Sequence, residues 1–184
     1  MLRPIQHRSE KAQADLMIIR VRYALVEART GLVNTARGLA KSLGERLPIC
    51  DADQMGIKQG SRYPAALQQV LEPLLKEGSL TEKIKESDRK VEQIARKDYP
   101  EAELLQEVSG VGPLIALTFV LTVEDKDRFQ NSRDVGCYVG LRPRRGDSGE
   151  SQPQLRITKE GASYLRMQIP QLLGGRQSDL KRRE

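Results

Sequence analysis

Aromatic side chains are nearly missing from this chain: among 184 residues there are no Trp and two Phe, and the aromatic fraction is 4%. That excludes a large aromatic core, and with it an RNA-binding sheet that stacks bases on exposed rings. Histidine occurs once, as His7, so a Ser-His-Asp triad would have to recruit it from the N-terminus. The two cysteines, Cys50 and Cys137, lie far apart with no CxxC or Cys/His cluster around them, which leaves no zinc pattern. There is no apolar run long enough to span a bilayer and no signal-peptide core. The expected compartment is therefore the cytoplasm, with both thiols reduced and no membrane partner.

What the chain does have is charge. Ionisable residues make up 30% against 38% hydrophobic, and the net charge is +6. A modest core under a basic surface favours partners that carry phosphates, because each Lys or Arg set beside a phosphate releases counterions.

The apolar pattern predicts a mainly α fold. Ile18, Val21, Leu25, Ala28, Leu32, Ala36, Leu39 and Leu43 recur at steps of three and four, the mark of one long helix from about Ser9 to Leu43, stopped by Gly44 and Pro48. Residues 45–64 read as a loop, with Asp51 and Asp53 as solvated turn carboxylates rather than metal ligands. Ala65 to Lys97 is helical again, with a break near Pro73 and Gly78 and a restart near Thr81. Leu80, Ile84, Val91 and Ile94 fall at heptad-like spacing under a mixed-charge face, so this stretch reads as a coiled coil or helical hairpin that dimerises or spaces two domains, with packing on its own chain as the alternative for so short a repeat. The expected organisation is a long helix over 1–47, a loop and helical spacer over 48–100, and a small helical domain over 101–184, whose motifs point to DNA binding as follows.

Two motifs in the last part carry chemistry. Gly110-Val111-Gly112 followed by Pro113 joins two apolar helices, with Ala116 small enough for close packing. This resembles a helix-hairpin-helix motif, which grips DNA without reading its sequence. Glycines let backbone approach a phosphate, and the free N–H groups at a helix start favour an anion. A packed turn without a ligand is the plain alternative. The second motif is Ser148, glycine-flanked in Gly146-Asp-Ser-Gly149, with Arg142, Arg144, Arg145, Arg156, Lys159 and Arg166 around it. A serine that attacks a DNA phosphate needs an exposed hydroxyl and cations to stabilise the charge on the phosphoryl oxygens. A solvated turn between basic segments is the plain alternative here, and no base for the serine is evident.

The succession of Val-Ser-Gly-Val-Gly-Pro, Phe-Gln-Asn-Ser-Arg-Asp-Val-Gly-Cys-Tyr-Val-Gly-Leu-Arg-Pro, Asp-Ser-Gly and Arg-Ile-Thr-Lys-Glu-Gly-Ala-Ser-Tyr-Leu-Arg resembles the transposase domain of the bridge-RNA-guided insertion-sequence transposases. These join a RuvC-like domain to a C-terminal domain holding a catalytic serine. The resemblance covers about Leu104 to Arg166, and the helix from Arg20 to Leu43 is similar to the segment that ends the RuvC-like half. It implies Ser148 as the serine that links covalently to DNA. It also implies a homo-oligomer, a guide RNA, and Mg²⁺ held by four acidic residues (Asp, Glu, Asp, Asp) in the other half. Those acids are expected upstream of Met1, and Glu10, Asp15 and Glu27 do not match them, so this chain is expected to hold no metal or cofactor and to be a truncated copy. The C-terminus departs from the family's apolar helix at Pro170 and Gly174-Gly175. The expected function is DNA binding with strand cleavage and rejoining in insertion-sequence transposition. The alternatives are a non-catalytic DNA- or RNA-binding regulator derived from a transposase, and a helical interaction protein dimerising through residues 67–97.

Overall fold

The computed structural model describes residues 8–47, 65–75, 78–146, 148, 153, 155–166 and 168. Among them the fold is helical: α1 (Glu10–Ser42), α2 (Ala65–Leu75), α3 (Gly78–Asp98), α4 (Glu101–Gln106), α5 (Pro113–Val123) and α6 (Ser132–Val139), with a 3-10 turn at Lys126–Arg128. The chain forms two compact units, Met17–Lys90 on one side and Met1–Leu16 with Val91–Glu184 on the other, so α1 and α3 each contribute to both. The expected loop with Asp51 and Asp53, Cys50, His7 and the interrupted C-terminal segment lie outside the described residues.

Within the first unit α3 runs antiparallel to α1. Arg22 Nε donates to Asp88 Oδ1 at 2.8 Å, and Arg29 Nη1 donates to Thr81 Oγ1 at 3.2 Å. The two pairs step by the same number of residues in opposite directions. A second contact set packs Ala36 and Ala40 of α1 on Leu67 and Leu71 of α2, with Leu47 and Leu74 at its edge.

The buried face of α1 is only partly the one its spacing suggests: of that stripe Ala36 is buried and Ile18, Leu25 and Leu32 are half-buried. Ala12, Leu16, Ile19, Val33, Ala36 and Ala40 are buried, whereas Val21 is 57% exposed and Leu43 63%. Apolar residues occur all round this helix, so steps of three and four fit more than one stripe, and the packing partner selects among them. In α3 the buried positions are Ile84, Val91 and Ala95. The heptad position between Ile84 and Val91 is Ser87, whose Oγ donates to Lys83 O at 2.8 Å, and the neighbouring Asp88 engages Arg22. Pro73 does not break α2, which continues through it to Leu75, and α3 begins at Gly78 rather than at Thr81.

The second unit holds the helices expected to handle DNA. Ser9 caps α1: its Oγ accepts from Ala12 N at 3.2 Å. Its own N–H donates to Glu124 Oε1 at 2.9 Å. Glu124 ends α5 at φ 54°, ψ −71°. Asp125 N donates to Val123 O at 2.8 Å, closing a γ-turn of the rare, strained sense. Tyr99 donates to Asp15 Oδ2 at 2.8 Å, and Lys11 Nζ lies 3.4 Å from Asp98 Oδ1 and 5.5 Å from the Tyr99 ring centre. Between α4 and α5, Ala102 and Ala116 are both fully buried, as the close packing of these two helices requires.

Candidate nucleic-acid interface

The turn between α4 and α5 has the expected glycine logic. Gly110 takes φ +90°, a conformation open to glycine at little cost. Val111 N donates to Val108 O at 2.9 Å, which closes the turn. Gly112 is extended (φ −86°, ψ 172°) and caps α5, and its carbonyl accepts from Ile115 N and Ala116 N. Pro113 opens the helix where its missing N–H is not needed. The backbone therefore presents the N-terminus of an eleven-residue helix behind the exposed Gly110 and the half-buried Gly112.

The arginine-rich segment is ordered by a feature the sequence reading did not contain. Residues 142–144 and 156–158 pair antiparallel: Pro143 bridges Ile157, Arg144 N donates to Arg156 O at 2.9 Å, and Thr158 N donates to Arg142 O at 2.8 Å. A Cβ at Gly146 would come within 2.8 Å of Leu155 Cδ1, the end of a side chain that can turn aside. Ser148 itself takes part in a β-bridge farther along the arm and is exposed. Asp147, Gly149 and Glu150, its flanking residues, lie outside the described residues. Arg144 and Arg156 stand opposite each other across the pair, and like charges there are destabilising unless an anion offsets them. A sequence signal for the pairing existed in the turn formers between Gly146 and Pro153, but a two-residue-deep ladder is too short for alternation to reveal.

Two glycines hold this arm to α6. The helix starts at Asn131, whose Oδ1 accepts from Asp134 N at 3.1 Å, and ends at Gly140 (φ 79°, ψ 28°). Leu141 N reaches back to Gly136 O at 2.9 Å, the long bond of a Schellman ending. A Cβ on Gly140 would overlap the Glu160 carbonyl oxygen, and one on Gly161 would overlap the Tyr138 carbonyl oxygen. The two backbones cross with no room for side chains.

Lys159, at φ 61°, donates its N–H to Gly140 O at 3.2 Å. Arg166 Nη1 donates to Val139 O at 3.1 Å and Glu160 O at 3.3 Å, so this cation clamps the crossing from within. Tyr138 anchors the other side. Its ring meets Phe129 edge-on at 5.5 Å with Arg128 over both rings, and its hydroxyl accepts from Arg8 Nη2 at 3.1 Å.

The structure thus gathers Arg142, Arg144, Arg145 and Arg156 on one paired arm beside Ser148 and directs Arg166 into the fold. Gly110, Val111 and Gly112 belong to a different turn of the same unit. Among the described residues no cluster of three or more His, Cys, Asp or Glu side chains offers a metal donor set. No helix there is long and apolar enough to cross a membrane.

Comparison with known proteins converges on the same segment. Residues 102–173 match the Transposase IS116/IS110/IS902 family. Longer stretches of the chain align with proteins named as transposases or as products of insertion elements. The transposase for insertion sequence element IS1111A of Coxiella burnetii is 28% identical over 176 residues, covering 90% of this chain and 47% of the relative. A Pseudomonas aeruginosa protein named "Probable family 20 transposase" is 30% identical over 173 residues, 90% of this chain and 51% of the relative. A Streptomyces clavuligerus protein of insertion element IS116 is 30% identical over 133 residues, 66% of this chain and 31% of the relative. The chain spans about half the length of the first two.

Proposed function

We propose that this chain is the DNA-handling portion of an IS116/IS110/IS902-type transposase, and that Ser148 is the nucleophile of strand cleavage and rejoining. The observation that carries the reading is an exposed serine at the end of a paired arm bearing Arg142, Arg144, Arg145 and Arg156, inside the segment that matches the transposase family. Attack by Ser148 Oγ on a phosphodiester forms an Oγ–P bond and breaks one P–O bond to the sugar. The serine proton leaves to solvent, and the departing sugar oxygen takes one up. One phosphate ester replaces another, so the reverse attack by a DNA hydroxyl rejoins the strand without an energy source. The arginines stabilise the charge that gathers on the phosphoryl oxygens in both directions.

The α4–α5 turn supplies a second, sequence-independent grip, with backbone N–H groups at the start of α5 facing a phosphate. The same reading brings a guide RNA as partner and a homo-oligomer formed through the spacer helices, in the cytoplasm. The Mg²⁺ that the resemblance implies would be held by acidic residues of the family's other half, since no cluster of three or more His, Cys, Asp or Glu occurs among the described residues.

Incubating wild type and Ser148→Ala with nicked duplexes that carry the element's ends tests the nucleophile. Wild type is expected to give a denaturation-resistant protein–DNA adduct that Ser148→Ala lacks, while both bind the duplex equally. Equal adduct yields refute the role of Ser148. Salt-sensitive binding with no adduct in either protein favours the non-catalytic regulator.

A further inference from the structure

The arginines of the second unit differ in what their guanidinium groups do. Arg8 donates to Thr122 O and the Tyr138 hydroxyl, Arg128 covers two rings, Arg144 reaches Thr158 O, and Arg166 holds two carbonyls. Arg133, Arg142 and Arg145 are exposed, and among the described residues no hydrogen bond or ion pair takes up their guanidinium groups. All three border one open hollow of 620 Å³ between α6 and the segment that follows Gly140.

Asp134 is the single acidic residue that borders the same hollow, against three arginines, and its carboxylate already accepts from Gln130 N at 3.2 Å. Glu160 lies in a smaller adjoining hollow that Arg142 and Arg145 also border. Arg133 sits in the first turn of α6, where the helix dipole adds positive potential. Gly136 lines the hollow, and a Cβ built on it meets nothing within 4 Å, so glycine keeps this wall open rather than serving the packing of the helix. Uncompensated cations around an open hollow repel one another, and an anion with several acceptor oxygens relieves that repulsion.

We propose that this hollow is a phosphodiester subsite for bound DNA, with Arg133, Arg142 and Arg145 as its donors and Gly136 as the gap that admits the phosphate. The subsite rests on the DNA-handling function above and extends it. The backbone path continues from the paired arm to the first turn of α6, and Arg133 becomes a binding residue outside the arginine cluster of the arm. Cys137, half-buried in the same wall, is a built-in reporter of occupancy.

The test uses the full chain and a short DNA duplex. Arg133→Ala is expected to weaken binding about threefold or more and to lower the slope of log affinity against log salt by about one, the signature of one lost phosphate contact. Gly136→Leu changes no charge and projects into open space, so it is expected to weaken binding comparably while the helical signal stays that of wild type. Lys126→Ala removes an exposed cation that does not border the hollow and is expected to have a smaller effect. Alkylation of Cys137, read by peptide mapping, is expected to slow in wild type in proportion to the bound fraction.

A duplex that binds while Arg133→Ala and Gly136→Leu behave as wild type and Cys137 reacts at an unchanged rate overturns the subsite and leaves DNA handling intact. Equal losses for Lys126→Ala and Arg133→Ala also overturn it. No binding even in dilute salt overturns DNA handling itself, and the subsite with it.

Discussion

Replacing either glycine at the crossing of α6 and the Glu160–Gly161 segment is expected to be among the most damaging single changes in the second unit. Gly161 has φ +90°, and an added Cβ would overlap the Tyr138 carbonyl oxygen and stand 3.0 Å from its carbonyl carbon. Holding alanine in the left-handed region costs about 1–2 kcal/mol. Forcing apart two backbone segments that have no flexible side chain to yield costs about 1–3 kcal/mol more. The total, roughly 2–5 kcal/mol, is a large share of the roughly 5–15 kcal/mol by which a domain is stable. Gly136→Ala in α6 is the counter-example: the new Cβ meets nothing within 4 Å, and alanine in a helix interior is favoured by about 0.5–1 kcal/mol. Urea unfolding followed by circular dichroism reads both, with the midpoint compared at constant slope. Gly161→Ala should shift the midpoint strongly down and Gly136→Ala slightly up. Matching midpoints for the two variants would refute the close crossing.

Arg166→Met should lower stability by about 1–3 kcal/mol, because it leaves the Val139 and Glu160 carbonyls without their charged donor. Its effect on the salt slope of DNA binding should be smaller than that of Arg142→Ala, and a larger one would return Arg166 to the DNA surface. Burial first, then the hydrogen bond to Asp15 and the charges of Asp15, Asp98 and Glu124, push the Tyr99 phenol well above its ordinary value of 10.0. Below pH 10 the folded and unfolded phenols are both protonated and this contribution is fully present. Above it only the unfolded phenol ionises, so stability falls with rising pH, and Tyr99→Phe should flatten part of that slope in pH-dependent urea titrations. The remainder includes Tyr23, which its hydrogen bond to Glu27 also raises. A double-mutant cycle on Arg22 and Asp88 should give a coupling of about 0.3–1 kcal/mol that weakens in salt, and zero coupling would place the pair among idle surface contacts.

The helical class, the long first helix, and the glycine turn before Pro113 were legible because each is written in local chemistry. Capping residues, helix breakers and apolar recurrence act over a few positions, and Ser9, Asn131 and Gly140 cap helices in the structure as such residues should. The family likeness was legible for a similar reason, since its motifs are short and ordered. Which face of α1 is buried was only partly legible, because a helix with apolar residues all round leaves that choice to its partner.

What the sequence determined by itself is the inventory: a basic, aromatic-poor helical chain with a serine among arginines. What only the tertiary structure decided is how those arginines divide their labour. The antiparallel pairing of 142–144 with 156–158 and the crossing of Gly140 with Gly161 turn Arg166 inward and leave Arg133, Arg142 and Arg145 around one hollow. Positive charge in a sequence is only a count. Its destination depends on which carbonyls and carboxylates come within reach, and residues far apart along the chain supply them only after folding.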